Sequence, residues 1–144
     1  MKLKPSSLFS DALRALVDLA LYQAAGQVTV SSIAKRQGIP VGCLEQIFNR
    51  LKRTGIVVAE RGPRGGYRLA RSQSDIRASD IFRSLAPKNL AAGTLSASDP
   101  TLHLWRQVEE AVHTTLEATS LETLVAQARE KAPSLVNHRF TFHI

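Results

Sequence analysis

Apolar residues Phe9, Leu13, Leu16, Val17, Ala20 and Leu21 recur at helical spacing, so a first helix is expected from a cap at Ser6 or Ser7 to the stop at Ala25-Gly26. Thr29 is placed to cap a short second helix through Val30, Ile33 and Ala34, and Gly38 can take the left-handed conformation that ends it. Ile39 then plugs the corner. Pro40 fixes the entry of a third helix whose Leu44, Ile47, Phe48 and Leu51 form an i, i+3, i+4, i+7 stripe ending at Thr54-Gly55. The opposite face of that helix shows Cys43, Glu45, Gln46, Asn49, Arg50 and Arg53.

After the third helix the period changes from helical to extended. Strands are expected over Ile56 to Glu60 and Tyr67 to Ala70, around the turn Gly62-Pro63-Arg64-Gly65-Gly66. Helix, helix, helix, hairpin is the order of a winged helix-turn-helix. A short helix over Ser79 to Leu85, closed by Pro87, follows. The small, polar stretch from Asn89 to Ser98 is the best loop candidate in the chain. Asp99 and Pro100 then read as cap and first residue of a long helix to about Thr119, with Leu104, Val108, Ala111, Val112 and Thr115 on one face. Ser120 caps a last helix with Leu121, Leu124 and Val125 inward, ahead of Pro133 and a tail ending Phe140-Thr141-Phe142-His143-Ile144. The expected fold is therefore mainly α with a small β-hairpin.

With 144 residues, 44% of them apolar, the chain can bury one core but not two full domains. Its net charge of +7 is unevenly divided: residues 1–77 carry 13 Lys or Arg against 5 Asp or Glu, and residues 78–144 carry 6 against 7. The basic part is expected to meet a polyanion. This sets the organisation as a winged DNA-binding part over 1–77 and a helical part over 78–144 with its loop at 88–99. The lone Cys43 rules out an internal disulfide and a multi-cysteine zinc site, and it suits a reducing cytoplasm. No signal-peptide pattern and no apolar run of membrane-spanning length is present, so no membrane partner is expected.

Four blocks in order, Ala12-Leu13-Arg14-Ala15-Leu16, Ile33 to Ile39, Leu44 to Leu51 and Arg61 to Leu69, together resemble the Rrf-two family of bacterial transcription regulators. That family includes the iron-sulfur cluster regulator and repressors of nitric-oxide sensing and cysteine metabolism. Trp105 and Ser120-Leu121-Glu122-Thr123-Leu124 resemble its dimer-forming C-terminal part. The resemblance implies a homodimer whose long helix, about Pro100 to Thr119, crosses its twin through Leu104, Trp105, Val108, Ala111, Val112 and Thr115. It also implies third helices in successive major grooves of a pseudo-palindromic operator, with half-site centres about 34 to 36 Å apart. The chain departs from the best-known members in one respect. Their loop before the long helix holds an iron-sulfur cluster on three cysteines, whereas Lys88 to Asp99 contains none, so no cysteine-held cluster is expected. His103 falls one residue from the family's histidine when Trp105 is the anchor, and it reads as a solvated helix-surface residue. His113, His138 and His143 form no metal spacing.

Glu45 and Gln46, in the first turns of the third helix, are the specificity candidates, since Glu accepts from cytosine N4 and Gln pairs with adenine N6 and N7. Glu45 could instead pair with Asn49 or a helix-end arginine. Arg50 and Arg53 are candidates for phosphate, and Arg61, Arg64 and Arg68 for the wing, with Arg64 at the tip suited to a narrow minor groove. Tyr67 is expected to pack against the third helix. Oxidation of Cys43 would block the groove, making a redox switch conceivable, but the chain has no resolving cysteine and the simpler reading is a small residue facing DNA. A pocket between the winged part and the long helix, with Leu90 to Ser98 as lid, is the expected place for an unidentified small-molecule or protein effector.

These residues bear on three classes of function. A sequence-specific, homodimeric transcription regulator, a repressor in the first instance, fits the asymmetric charge and the Glu45-Gln46 pair. A winged-helix module for protein or structured RNA is the alternative, because the fold alone does not decide. An enzyme is the weakest reading: no nucleophile stands at a recognisable spacing from a base, and Gly65-Gly66 joins two strands instead of opening a helix.

Overall fold

A computed structural model describes residues 7–63, 65–85 and 95–131. The first helix, α1, runs Ser7–Tyr22 and continues as a single tight turn over Gln23–Ala25, where Gly26 at φ 137° breaks it. Its Ala12, Ala15, Leu16 and Leu19 are fully buried. A second apolar stripe of Leu13, Val17 and Leu21 is only partly covered, so the single face expected from periodicity divides into an inward stripe and a half-exposed one.

Helix α2 spans Val30–Gln37. The Thr29 hydroxyl accepts the Ser32 N–H at 3.1 Å, satisfying a donor that the first helical turn leaves open. Gly38 closes the helix at φ 66°, a conformation costly for a residue with Cβ, and passes the chain to buried Ile39. Helix α3, Val41–Arg53, buries Leu44, Ile47, Phe48 and Leu51, the stripe read from the sequence. Phe48 is wholly enclosed at the centre.

The hairpin follows as β1, Val57–Ala59, and β2, Tyr67–Leu69, antiparallel with Val58 opposite Arg68. Both strands are shorter than the apolar runs suggested: Ile56 and Ala70 share a backbone hydrogen bond of 2.9 Å but lie outside the paired segment. Val28, between α1 and α2, adds a bridge to Tyr67 on the far side of β2.

A short turn at Gln73–Asp75 leads to α4, Ala78–Leu85. The longest helix, α5, covers Leu102–Ala118, and α6 covers Leu121–Lys131. The expected start of α5 at Pro100 needs correction. The Asp99 carboxylate accepts the Thr101 backbone N–H at 2.7 Å and also its hydroxyl, which fixes a turn so that regular helix begins at Leu102. Ser120 caps α6 by accepting the Thr123 N–H at 3.2 Å. The Thr119 carbonyl accepts from Ala78 and the Ile76 carbonyl from Leu121, both at 2.8 Å, so the chain returns from α5 to the start of α4. Ile81, Leu85, Leu121 and Val125 join the same apolar cluster as α1 to α3. No described residue of α5 is buried. The tip residue Arg64, residues 88–94 of the expected loop and lid, and the tail from Pro133 lie outside the described residues.

Candidate nucleic-acid interface

Because α3 buries one stripe, its other face is forced outward. Cys43, Glu45, Gln46, Asn49 and Arg53 are all exposed along it. Glu45 forms no hydrogen bond or ion pair with any described residue, which leaves its acceptors open and does not support the alternative pairing with Asn49 or a helix-end arginine. A carboxylate and two amides aligned on one helix face carry the donors and acceptors that base edges match in a major groove.

The placement of that helix rests on α2, and α2 is fastened to α1 by a polar cluster that sequence reasoning missed. Asp18, 1% exposed, accepts from Arg36 Nη2 at 2.6 Å, from Arg36 Nε shared between its two carboxylate oxygens at 2.9 and 3.2 Å, and from Gln37 Nε2 at 2.9 Å. The Arg36 guanidinium also lies 4.0 Å from the centre of the Tyr22 ring. A buried charge survives only when paired and hydrogen-bonded in this way. The available signal was the break that Asp18 makes in an otherwise apolar helical face.

The wing stands beside α3 and is pinned to it by Tyr67, whose ring centre lies 4.8 Å from that of Phe48. This is the packing role expected of Tyr67. Arg61 is exposed just beyond β1, where the turn begins. Arg68 is exposed on β2, with its Nε 3.4 Å from Glu60, an ion pair too solvated to hold the side chain firmly. Gly65 at φ 63° and Gly66 at φ 146° supply the backbone the turn requires.

Arg50 does something its assignment did not anticipate. Its Nη1 donates to the Leu85 carbonyl at 3.0 Å, at the C-terminal end of α4, and next to it the Thr54 and Ser84 hydroxyls lie 2.8 Å apart. A cation at a helix C-terminus satisfies an otherwise open carbonyl and the helix dipole. Part of its donor capacity therefore ties α3 to α4, and the remainder faces solvent. Nearby, Asp80 sits between Arg71 and Arg83, at 3.8 Å and 2.7 Å. Burial works to raise its carboxyl, but the Arg77 N–H, the Arg83 hydrogen bond and the two positive charges prevail and hold it below the usual carboxylate range.

A cleft of about 940 Å³ is lined by Leu13, Val17 and Leu21 of α1 and by Leu124, Ala128 and Lys131 of α6, with Asp18 and Arg36 contributing. It is walled by the half-exposed stripe of α1, and no α5 residue lines it.

A reading helix with a free polar face beside a basic hairpin defines a winged helix-turn-helix DNA-binding protein, and comparison with known proteins agrees. Residues 6–127 match the family profile described as Rrf2, iron-dependent transcriptional regulator. The HTH-type transcriptional regulator IscR of Cereibacter sphaeroides is 36% identical over 136 residues, covering 86% of this chain and 88% of that protein. Among solved structures, T. potens IscR superposes with a TM-score of 0.78 at 33% identity, over 91% of this chain and 92% of that one. CymR, the global cysteine regulator of B. subtilis, gives 0.74 at 31% identity over 88% and 98%. The chain belongs to the Rrf2 family and is a DNA-binding transcription regulator; these relatives are regulators and not enzymes.

The family description raises the question of iron. The chain has one cysteine, and it lies exposed on α3. Among the described residues no three His, Cys, Asp or Glu side chains converge as a metal site. His113 pairs with Glu117 at 3.3 Å on the surface of α5. This donor set does not fit a cysteine-ligated cluster. Among the described residues no helix is long and apolar enough to cross a membrane.

Proposed function

We propose that the protein acts in the cytoplasm as a homodimeric repressor that reads a pseudo-palindromic operator and works without a cysteine-held cluster. The observation that carries the reading is the exposed face of α3, which presents Glu45, Gln46, Asn49 and Arg53, with Arg61 and Arg68 exposed on the wing that packs against it. Glu45 and Gln46 contact base edges, Asn49 and Cys43 lie along the same groove wall, Arg53, Arg61 and Arg68 answer phosphates, and Arg64 enters the flanking minor groove. Arg50 contributes to the phosphate set with whatever its bond to Leu85 leaves free.

Dimerisation is supported by an imbalance of apolar surface. On α5, Leu104 is 56% exposed, Trp105 51%, Val108 42% and Val112 45%, and Ala111 and Thr115 share that exposure. A stripe of this kind along a helix of about 25 Å needs a partner. The open cleft of α1 and α6 has the complementary lining, and Arg14 and Lys131 there oppose Glu109 and Glu110 of α5 in charge. In a twofold dimer each α5 would meet its twin and cover apolar surface of the other subunit. A dimer on a promoter represses by occupying it.

Selection of bound duplexes from random DNA tests this reading. An inverted repeat should emerge, with sedimentation showing twice the chain mass. Enrichment of a single unrepeated site by a monomer, or of structured RNA over duplex in direct competition, would overturn it.

A further inference from the structure

The wing arginines can help only if the hairpin that carries them keeps a fixed angle to α3, and two three-residue strands are marginal by themselves. The outer edge of β2 shows how the angle is kept. Pairing with β1 leaves two N–H groups, of Tyr67 and Leu69, pointing away from the hairpin. The Tyr67 N–H donates to the Val28 carbonyl at 2.9 Å, and the Leu69 N–H donates to the side-chain Oε1 of Gln23, also at 2.9 Å. One backbone carbonyl and one side-chain amide thus do the work of a third strand. At the other end of the hairpin, Gln27 Nε2 donates to the Arg61 carbonyl at 3.4 Å. Its side chain lies over the two glycines that flank the turn. A Cβ at Gly62 would come within 2.7 Å of Gln27 Nε2, and one at Gly66 within 3.0 Å of the Val28 carbonyl. The glycines permit this close seating as well as the turn itself.

We propose that Gln23 and Gln27, on the connector between α1 and α2, are positioning residues that clasp the wing and set the offset of Arg61 and Arg68 from the reading face of α3. The inference rests on the wing meeting DNA. The clasp spans both ends of the hairpin, Gln23 at Leu69 and Gln27 at Arg61, while Phe48 holds Tyr67 from inside. With the clasp released, α3 still reads its half-site, but the hairpin no longer delivers its charges to the phosphates at a fixed place.

Operator binding across a salt series, with Gln23→Leu, Gln23→Glu, Gln27→Ala and the Gln23→Leu/Gln27→Ala pair, tests this. Leu keeps an apolar stem of similar bulk but is one bond shorter than Gln and cannot accept the Leu69 N–H, whereas Glu has the length of Gln and can. Each phosphate contact contributes about 0.9 to the slope of log affinity against log salt. The pair is expected to lower that slope by about 1 to 2 and to weaken binding roughly tenfold, with the order of preference among half-site base changes kept, and Gln23→Glu should stay with the parent protein. An unchanged slope in the pair, equal loss with Gln23→Glu and Gln23→Leu, or loss of base preference alongside the slope would overturn the proposal. Should Gln23→Leu fail to fold, Gln27→Ala at its exposed position decides alone: a reduced slope supports the clasp and a parental slope refutes it.

Discussion

Asp18→Ala should destabilise this protein more than any surface charge change, and by an amount the geometry bounds. The substitution removes the acceptor of the Arg36 bonds, at 2.6, 2.9 and 3.2 Å, and of the Gln37 bond at 2.9 Å. Breaking a fully buried pair by deleting one partner costs about 3 to 5 kcal/mol, because the remaining charge is stranded. Here the remaining charge is not wholly stranded. Arg36 is 19% exposed, keeps the face of Tyr22 at 4.0 Å and has the Ser32 hydroxyl at 3.4 Å. A loss of about 2 to 3 kcal/mol is therefore expected, equivalent to a fall in Tm of roughly 5 to 10 °C for a chain of this size. Thermal unfolding followed by circular dichroism measures it. The cycle with Arg36→Ala and the double variant isolates the pair, and the double variant should be less destabilised than the sum of the singles. A fall in Tm under about 2 °C, or strict additivity, would show that the cluster does not hold α2 on α1.

Other consequences follow from the same residues. The Asp80 carboxyl is held below its ordinary 3.8, so its contribution to stability is complete above that value and is lost as pH falls through the lowered one; Asp80→Asn should lower stability at neutral pH, converge with the parent protein in acid and so flatten the acid limb of a stability profile. Glu45→Ala should relax preference at one base pair of each half-site by about 1 to 3 kcal/mol, read from competition among single-base variants, and an unchanged preference would remove Glu45 from base reading. Arg61→Ala should lower the salt slope by about 1 per subunit while leaving base preference intact. Val108→Arg, at an exposed α5 position, should halve the mass seen in sedimentation without lowering helical content; a persistent dimer would place the interface elsewhere.

What could be read from the chain alone was what is local. Thr29 and Gly38 bound α2 because caps act on backbone groups two to four residues away, and Leu44, Ile47, Phe48 and Leu51 mark the buried side of α3 through helical period alone. The exposed face of α3 follows from that stripe by subtraction. The contacts that hold the reading face in place were not legible, since Asp18 meets Arg36 18 residues away, Arg50 meets Leu85 at 35 and Gln23 meets Leu69 at 46. Nothing in the neighbourhood of a glutamine announces that its amide will complete a strand edge. The start of α5 was misplaced for a related reason: Asp99 followed by Pro100 is compatible both with a cap at Asp99 and with the turn that the Asp99 carboxylate forms with Thr101.

A hydroxyl-radical footprint on a selected operator tests the central claim most directly. Two protected patches on one face of the duplex, centred about one helical turn apart and each extended into flanking minor groove by the wing, are the result the account predicts. Protection without that spacing, or none above bulk competitor at physiological salt, would contradict it.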